Sequence, residues 1–257
     1  MQPTFQYRGG KYWWKAYPAR NMTQVLELAS DWCVSHQEKY SLPLPITADI
    51  DETVIRYDDM VHATEHCSPD ENLIWKSDTP CKLPIIRFLR NLQTQFHNPL
   101  HFVTARKSEK WIRDVTFKHL AHCGFHLPGP EEYLDNDDRL KTKITASGDP
   151  GVFDSLSMLP LSFSSRDFRD FKAKKRTQIA DPVVLVNIGD QWSDMFDFPI
   201  EVDARLTEME SKTKDQQSFY SSLLSHAELK HGYMSPLRSY MVIGHFPDIA
   251  MLSVKLP

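Results

Sequence analysis

ITADIDETVIRY, residues 46–57, sets three carboxylates, Asp49, Asp51 and Glu52, directly behind a short apolar run. Leu44 to Ile50 reads as a buried strand, and like charges crowded at a strand end need a reason. A single acid there is ordinarily a turn residue or a helix cap. A second acid two positions on, matched by polar strand ends elsewhere in the chain, is more than a turn requires.

Those matches lie downstream. LPIIRFLRNLQTQF (83–96) has helical periodicity, PLHFVT (99–104) reads as a second apolar strand, and Lys107 to Cys123 reads as a helix stopped by Gly124. A further helix starts at Ser164 or Ser165 and runs through Phe168, Phe171 and Lys175 to Ala180. It leads into PVVLVNI (182–188), the most strand-like run in the chain, which ends in Gly189 and Asp190. Upstream, Asn21 with Gln24 resembles a capping box, and Val25, Leu26, Leu28, Ala29, Trp32 and Cys33 supply the apolar stripe of a helix. Strands alternating with helices predict an α/β fold, a mainly parallel sheet covered by helices on both faces. Ligands bind such sheets at the carboxyl ends of the strands. Here those ends carry Asp49 and Asp51, then Thr104 and Arg106, then Asp190 and Asp194.

Clustered carboxylates repel unless a cation holds them, and Asp49, Asp51 and Asp190 suit a hard cation with oxygen ligands. Mg2+ is the economical choice, because it keeps several waters and takes remaining ligands from substrate phosphate. Thr104 offers phosphate a hydroxyl, and a lysine near 172 offers it a positive charge. Asp49 is then the natural nucleophile, forming an aspartyl-phosphate, and Asp51 the general acid/base that protonates the leaving oxygen and later activates water.

Asp49-Ile50-Asp51-Glu52-Thr53, Thr104, the downstream lysine and Gly189-Asp190-Gln191-Trp192-Ser193-Asp194 together resemble the haloacid dehalogenase superfamily of phosphatases. Within it, the DIDET and GDQWSD forms look like the class III acid phosphatases, the group that includes plant vegetative storage proteins. The resemblance spans residues 44–198. It implies a Rossmann-like core, Asp49 as nucleophile and metal ligand, Asp51 offering the metal its backbone carbonyl, Thr104 on the phosphoryl group, and Asp190 as a direct ligand. Asp194 then supports the metal's water or the lysine. Phe171 to Arg176 looks like the family's lysine motif and assigns phosphate binding to Lys172, with Lys174 and Lys175 as substitutes. Arg106 follows Thr104 as in the family's Thr-Gly-Arg, with Ala105 in place of glycine, which implies a phosphate-binding arginine.

At 257 residues the chain reads as one domain. A small cap is expected over about 54–82, where Tyr57, His62, His66 and Trp75 are candidates to touch the leaving group, and an irregular insert over about 125–163. Tyr240 to Ile243 and Met251 to Val254 are expected to add strands. Trp13, Trp14, Trp75 and Trp111 read as core or lid packing. A formal charge of -4 gives no general field for nucleic acid. No apolar run is long enough to span a membrane, and the first residues lack the core of a signal peptide, so the expected location is cytoplasmic, with export the alternative if a leader has been removed. The four cysteines read as buried free thiols, and His62, His66, Cys67 and Cys81 lack structural zinc spacing. The expected substrate is a small phosphomonoester. A phosphoprotein phosphatase and a non-catalytic storage or binding protein are the alternatives, and the presence of Asp49 speaks against the last.

Overall fold

The structure, a computed structural model, describes residues 5–9, 12–56, 81–125, 127, 154–162, 168–180, 183–190, 194–195, 239–245 and 250–256. In chain order its elements are β1 (Phe5–Gly9), β2 (Tyr12–Pro18), α1 (Met22–Gln37), β3 (Ile46–Ala48), α2 (Leu83–Phe96), β4 (Leu100–Lys107), α3 (Lys110–His122), β5 (Asp154–Leu159), α4 (Phe168–Ile179), β6 (Val186–Gly189), β7 (Tyr240–His245) and β8 (Ala250–Lys255). The fold is mixed α/β, consistent with a Rossmann-like core. Two compact units form, one from Met1–Thr47 with Arg169–Pro257 and one from Ala48–Phe168.

In the first unit the strands run in the order β1-β2-β7-β8-β6-β3. Val183 to Val186 and Ile188 are fully enclosed, so the hydrophobic term drives β6 to the centre of the layer. β6 pairs with β8 in parallel, whereas β1, β2, β7 and β8 pair antiparallel in succession. The expected tail strands are thus present, while the β1–β2 hairpin was not read from the sequence. Helix α1 begins as its capping residues predict: Asn21 Oδ1 accepts from the Gln24 N–H at 2.9 Å, and Gln24 Oε1 accepts from the Arg20 N–H at 2.7 Å.

The second unit is built on a β4–α3–β5 crossover, with β4 and β5 paired in parallel. Helix α2 turns Ile85, Phe88, Leu89 and Leu92 inward, the 3.6-residue stripe its sequence predicts. Its register is fixed by polar contacts to β5, since Gln93 Nε2 donates to Asp154 Oδ1 at 2.6 Å and Arg90 pairs with Asp154 at 3.2 Å. Strand β5 lies inside the stretch read as irregular.

The reading of all four cysteines as free thiols is corrected: Cys81, just before α2, and Cys123, at the end of α3, form a disulfide with Cα atoms 5.7 Å apart. They are 42 residues apart in sequence and both lie in the second unit. Cys33 is free and buried as expected. Cys67, His62, His66, Tyr57 and Trp75 lie outside the described residues, as does nearly all of the expected cap. Trp14 is a core residue, whereas Trp111 is 41% exposed, against the expectation of packing. Among the described residues no helix is long and apolar enough to cross a membrane.

Candidate active site

The second unit begins at Ala48, the last residue of β3, and the chain turns at once. The Ile50 carbonyl accepts from the N–H groups of Thr53, Val54 and Ile55 at 3.3, 2.9 and 3.0 Å, which folds residues 50–55 into a tight turn. Glu52 takes φ 53, a left-handed conformation that a non-glycine residue holds only against steric cost. Lys82 clamps the turn. Its Nζ donates to the Glu52 carbonyl and pairs with the Glu52 carboxylate at 3.5 Å, while its N–H donates to the Val54 carbonyl at 2.8 Å. The turn buries Asp49, the residue directly after the strand, and leaves Asp51 half-buried. Lys82 was not among the residues singled out in the sequence, and nothing local to it points to this role.

Strand β4 supplies the next group. Its register against β5 shifts between Thr104 and Lys107, a bulge of the kind that re-aims side chains at a strand end. Thr104 Oγ1 lies 3.5 Å from Asp51 Oδ2 and accepts from the Arg106 N–H at 3.2 Å. The buried Arg106 guanidinium holds Asp51: Nε is 3.0 Å from both carboxylate oxygens, and Nη2 donates to Oδ1. Asp51, Thr104 and Arg106 are therefore brought together within one unit.

In the first unit, Asp190 directly follows β6, as Asp49 follows β3. Asn187 anchors the segment beyond it. Its Oδ1 accepts from Thr47 Oγ1 at 2.6 Å, and its Nδ2 donates to the Asp194 carbonyl. Gly189 is required for the close approach that follows, because a Cβ there would occupy the space of the Asp194 side chain. Asp194 is fully buried and takes two cations on one oxygen: Lys172 Nζ and Arg176 Nη2 each lie 2.8 Å from Oδ1. Lys172 and Arg176 stand four residues apart on α4 and share its inner face, whereas Lys174 is exposed and Lys175 half-buried. Arg176 and Asn187 are site residues that the sequence reading did not single out.

Burial alone would raise the Asp194 carboxyl, but the charges of Lys172 and Arg176 outweigh it and hold it below the ordinary range. Asp190 goes the other way. Although the residue as a whole is half-buried, its carboxyl is enclosed, and this burial together with the Asp194 charge pushes it up to about 7 against the weaker pull of Lys172 and Lys255. Lys255 is itself buried, its Nζ donating to the Leu256 carbonyl at 2.8 Å. Carboxylate oxygens of Asp190 and Asp194 come within 4.8 Å of one another. Two oxygen donors this close, one of them still short of positive charge, fit a hard divalent cation.

The fold and these groups define a class: an α/β protein whose strand-end carboxylates are held by buried cations and could bind a divalent metal. No family model matches the chain, and no curated protein matches it. Among solved structures it is similar to the class C acid phosphatase from Bacillus anthracis, with 16% identity, a TM-score of 0.47, and coverage of 74% of this chain and 72% of that one.

Proposed function

We propose that the protein is a Mg2+-dependent phosphomonoester hydrolase of haloacid dehalogenase type, resembling the class III acid phosphatases in its motifs. One observation carries the reading: each acidic motif starts at the residue after its strand, Asp49 after β3 and Asp190 after β6, and a buried cation holds the second acid of each, Arg106 on Asp51 and Lys172 on Asp194. A solvated loop has no need of cations withdrawn from water, since desolvating them is costly.

In this reaction the Asp49 carboxylate attacks phosphorus, and the bond to the leaving oxygen breaks as Asp51 gives that oxygen its proton. Asp51, now ionised, takes a proton from water. The water oxygen bonds to phosphorus, and the bond to Asp49 breaks, releasing phosphate and restoring both residues. Thr104 and Lys172 bind phosphoryl oxygens throughout. Asp49, the Asp51 backbone carbonyl and Asp190 would hold the metal, which supplies charge neutralisation at the phosphoryl group.

The Cys81–Cys123 disulfide further supports a working location in an oxidising compartment, where such bonds persist, over the cytoplasm.

The test is p-nitrophenyl phosphate hydrolysis from pH 5 to 8, with Mg2+ and with EDTA, for wild type and Asp49→Asn. Turnover that needs Mg2+ and disappears in the folded variant is expected, because an amide is a poor nucleophile. A variant as active as wild type would sink the assignment.

A further inference from the structure

Arg106 does more in this structure than meet Asp51. Its third nitrogen, Nη1, turns toward α3, where Thr116 and His119 stand three residues apart on one face and are both buried. Nη1 donates to Thr116 Oγ1 at 3.0 Å and lies 3.3 Å from His119 Nδ1. The hydrogen-bond inventory fixes how Thr116 and His119 face Arg106. A hydroxyl has one proton, and Thr116 gives its own to the Ile112 carbonyl at 2.7 Å, so toward Arg106 it is an acceptor. A guanidinium has no acceptor, so His119 Nδ1 must accept as well, and its ring proton sits on Nε2.

The far end of this chain of contacts is Asp51. Oδ1 takes both Nε and Nη2, whereas Oδ2 shares Nε at 3.0 Å and has the Thr104 hydroxyl at 3.5 Å. We propose that His119 and Thr116, acting through Arg106, are positioning residues that aim the Asp51 carboxyl, and so set how well the enzyme expels a poor leaving group. The inference rests on the phosphatase reading above. In the first step the Asp51 proton passes to the leaving oxygen as the bond from that oxygen to phosphorus breaks; in the second, Asp51 takes a proton from water. A leaving group that departs readily as an anion gains little from the first transfer, and a poor one depends on it.

The experiment compares kcat/KM for p-nitrophenyl phosphate, which has a good leaving group, with that for phenyl phosphate, which has a poor one of nearly the same shape. It is run on wild type, His119→Leu, His119→Asn and Thr116→Val, all in Mg2+. General acid catalysis contributes on the order of a hundredfold or more, so a misaimed acid should lower the phenyl to p-nitrophenyl ratio about tenfold in His119→Leu and Thr116→Val. His119→Asn, whose side-chain oxygen can take the place of Nδ1 as acceptor, should restore the ratio. A purely structural role would lower both substrates together and leave the ratio at the wild-type value, which overturns the proposal, as does a failure of His119→Asn to differ from His119→Leu. A wild type without Mg2+-dependent turnover overturns the phosphatase reading itself, and the proposal with it.

Discussion

Asp194→Asn isolates the most concentrated charge in the first unit. The substitution keeps the shape of the side chain, so the close approach to Gly189 and the Asn187 contact with the backbone carbonyl survive. What it removes is the negative charge on which Lys172 and Arg176 both close at 2.8 Å. Those two side chains are only 3% and 1% exposed, so neither can recover its loss from water. Removing one partner of a buried pair costs roughly 3 to 5 kcal/mol, because a buried charge is left uncompensated. We take about 4 kcal/mol, which for a chain of this size lowers the melting temperature by roughly 10 °C. The assay is urea denaturation followed by far-ultraviolet circular dichroism in EDTA, which removes any contribution from a metal bound at the same aspartate. Adding Lys172→Met should recover at least about 1 kcal/mol relative to the sum of the single changes, since the double variant no longer buries that ammonium. An Asp194→Asn protein within about 1 kcal/mol of wild type, or strictly additive changes, would refute the claim that this ion cluster is a buried, mutually dependent unit.

Under denaturing alkylation without reductant, Cys33 should be modified and Cys81 and Cys123 should be recovered as one linked peptide pair. Reducing that bond, which closes a 42-residue separation, should cost about 4 kcal/mol, and an unchanged melting temperature in reductant would contradict this. His36, buried and stacked on Trp32 at 4.1 Å, is held down to about 4, first by burial and then by the Lys39 charge. Between its ordinary value of 6.5 and about 4 the unfolded chain binds the proton and the folded chain does not, so this contribution is lost as pH falls. The loss should reach about 2 kcal/mol near pH 4 and be absent in His36→Gln; equal acid sensitivity of the two proteins would contradict it. Because Asp190 is pushed up to about 7, Mg2+ binding followed by calorimetry should weaken about tenfold per pH unit below that value and level off above it, and Asp190→Asn should abolish the dependence. A pH-independent affinity would exclude Asp190 as a ligand.

Where a rule is local, the sequence was legible. The α2 stripe, the Asn21 cap and the apolar runs of β4 and β6 depend on neighbours within one turn or one strand, and all were readable. β3 is shorter than the run from Leu44 to Ile50 because the Ile50 carbonyl turns back on three N–H groups, a consequence of the left-handed Glu52 that Lys82 secures from 30 residues away. Strand β5 was hidden for a similar reason. Asp154, Ser155 and Ser157 spoil its apolar pattern, and Gln93 and Arg90 of α2 help to satisfy the buried Asp154. The β1–β2 hairpin did leave a signal, Gly9-Gly10 between aromatic-rich runs, which went unread.

The site divides along the same line. Asp49, Asp51, Thr104 and Asp190 could be found because strand ends are positions of special meaning in an α/β fold. The cations could not be assigned in that way, since FKAKKR resembles a solvated basic face. Yet its period holds the answer. Phe168, Phe171, Lys172, Arg176 and Ile179 recur at three- and four-residue intervals, which puts two cations on the apolar stripe of α4 and Lys174 off it. A lysine and an arginine on the inner face of a helix demand a buried acid, because neither side chain can be left charged and unpaired away from water. Asp194 meets that demand, and the same argument applied to Arg106 on the inward-facing part of β4 leads to Asp51. The spacing of basic residues against an apolar stripe is thus a local signal for a non-local partner, and it is the signal in the amino-acid sequence that points to Arg176 and to the pairing of Arg106.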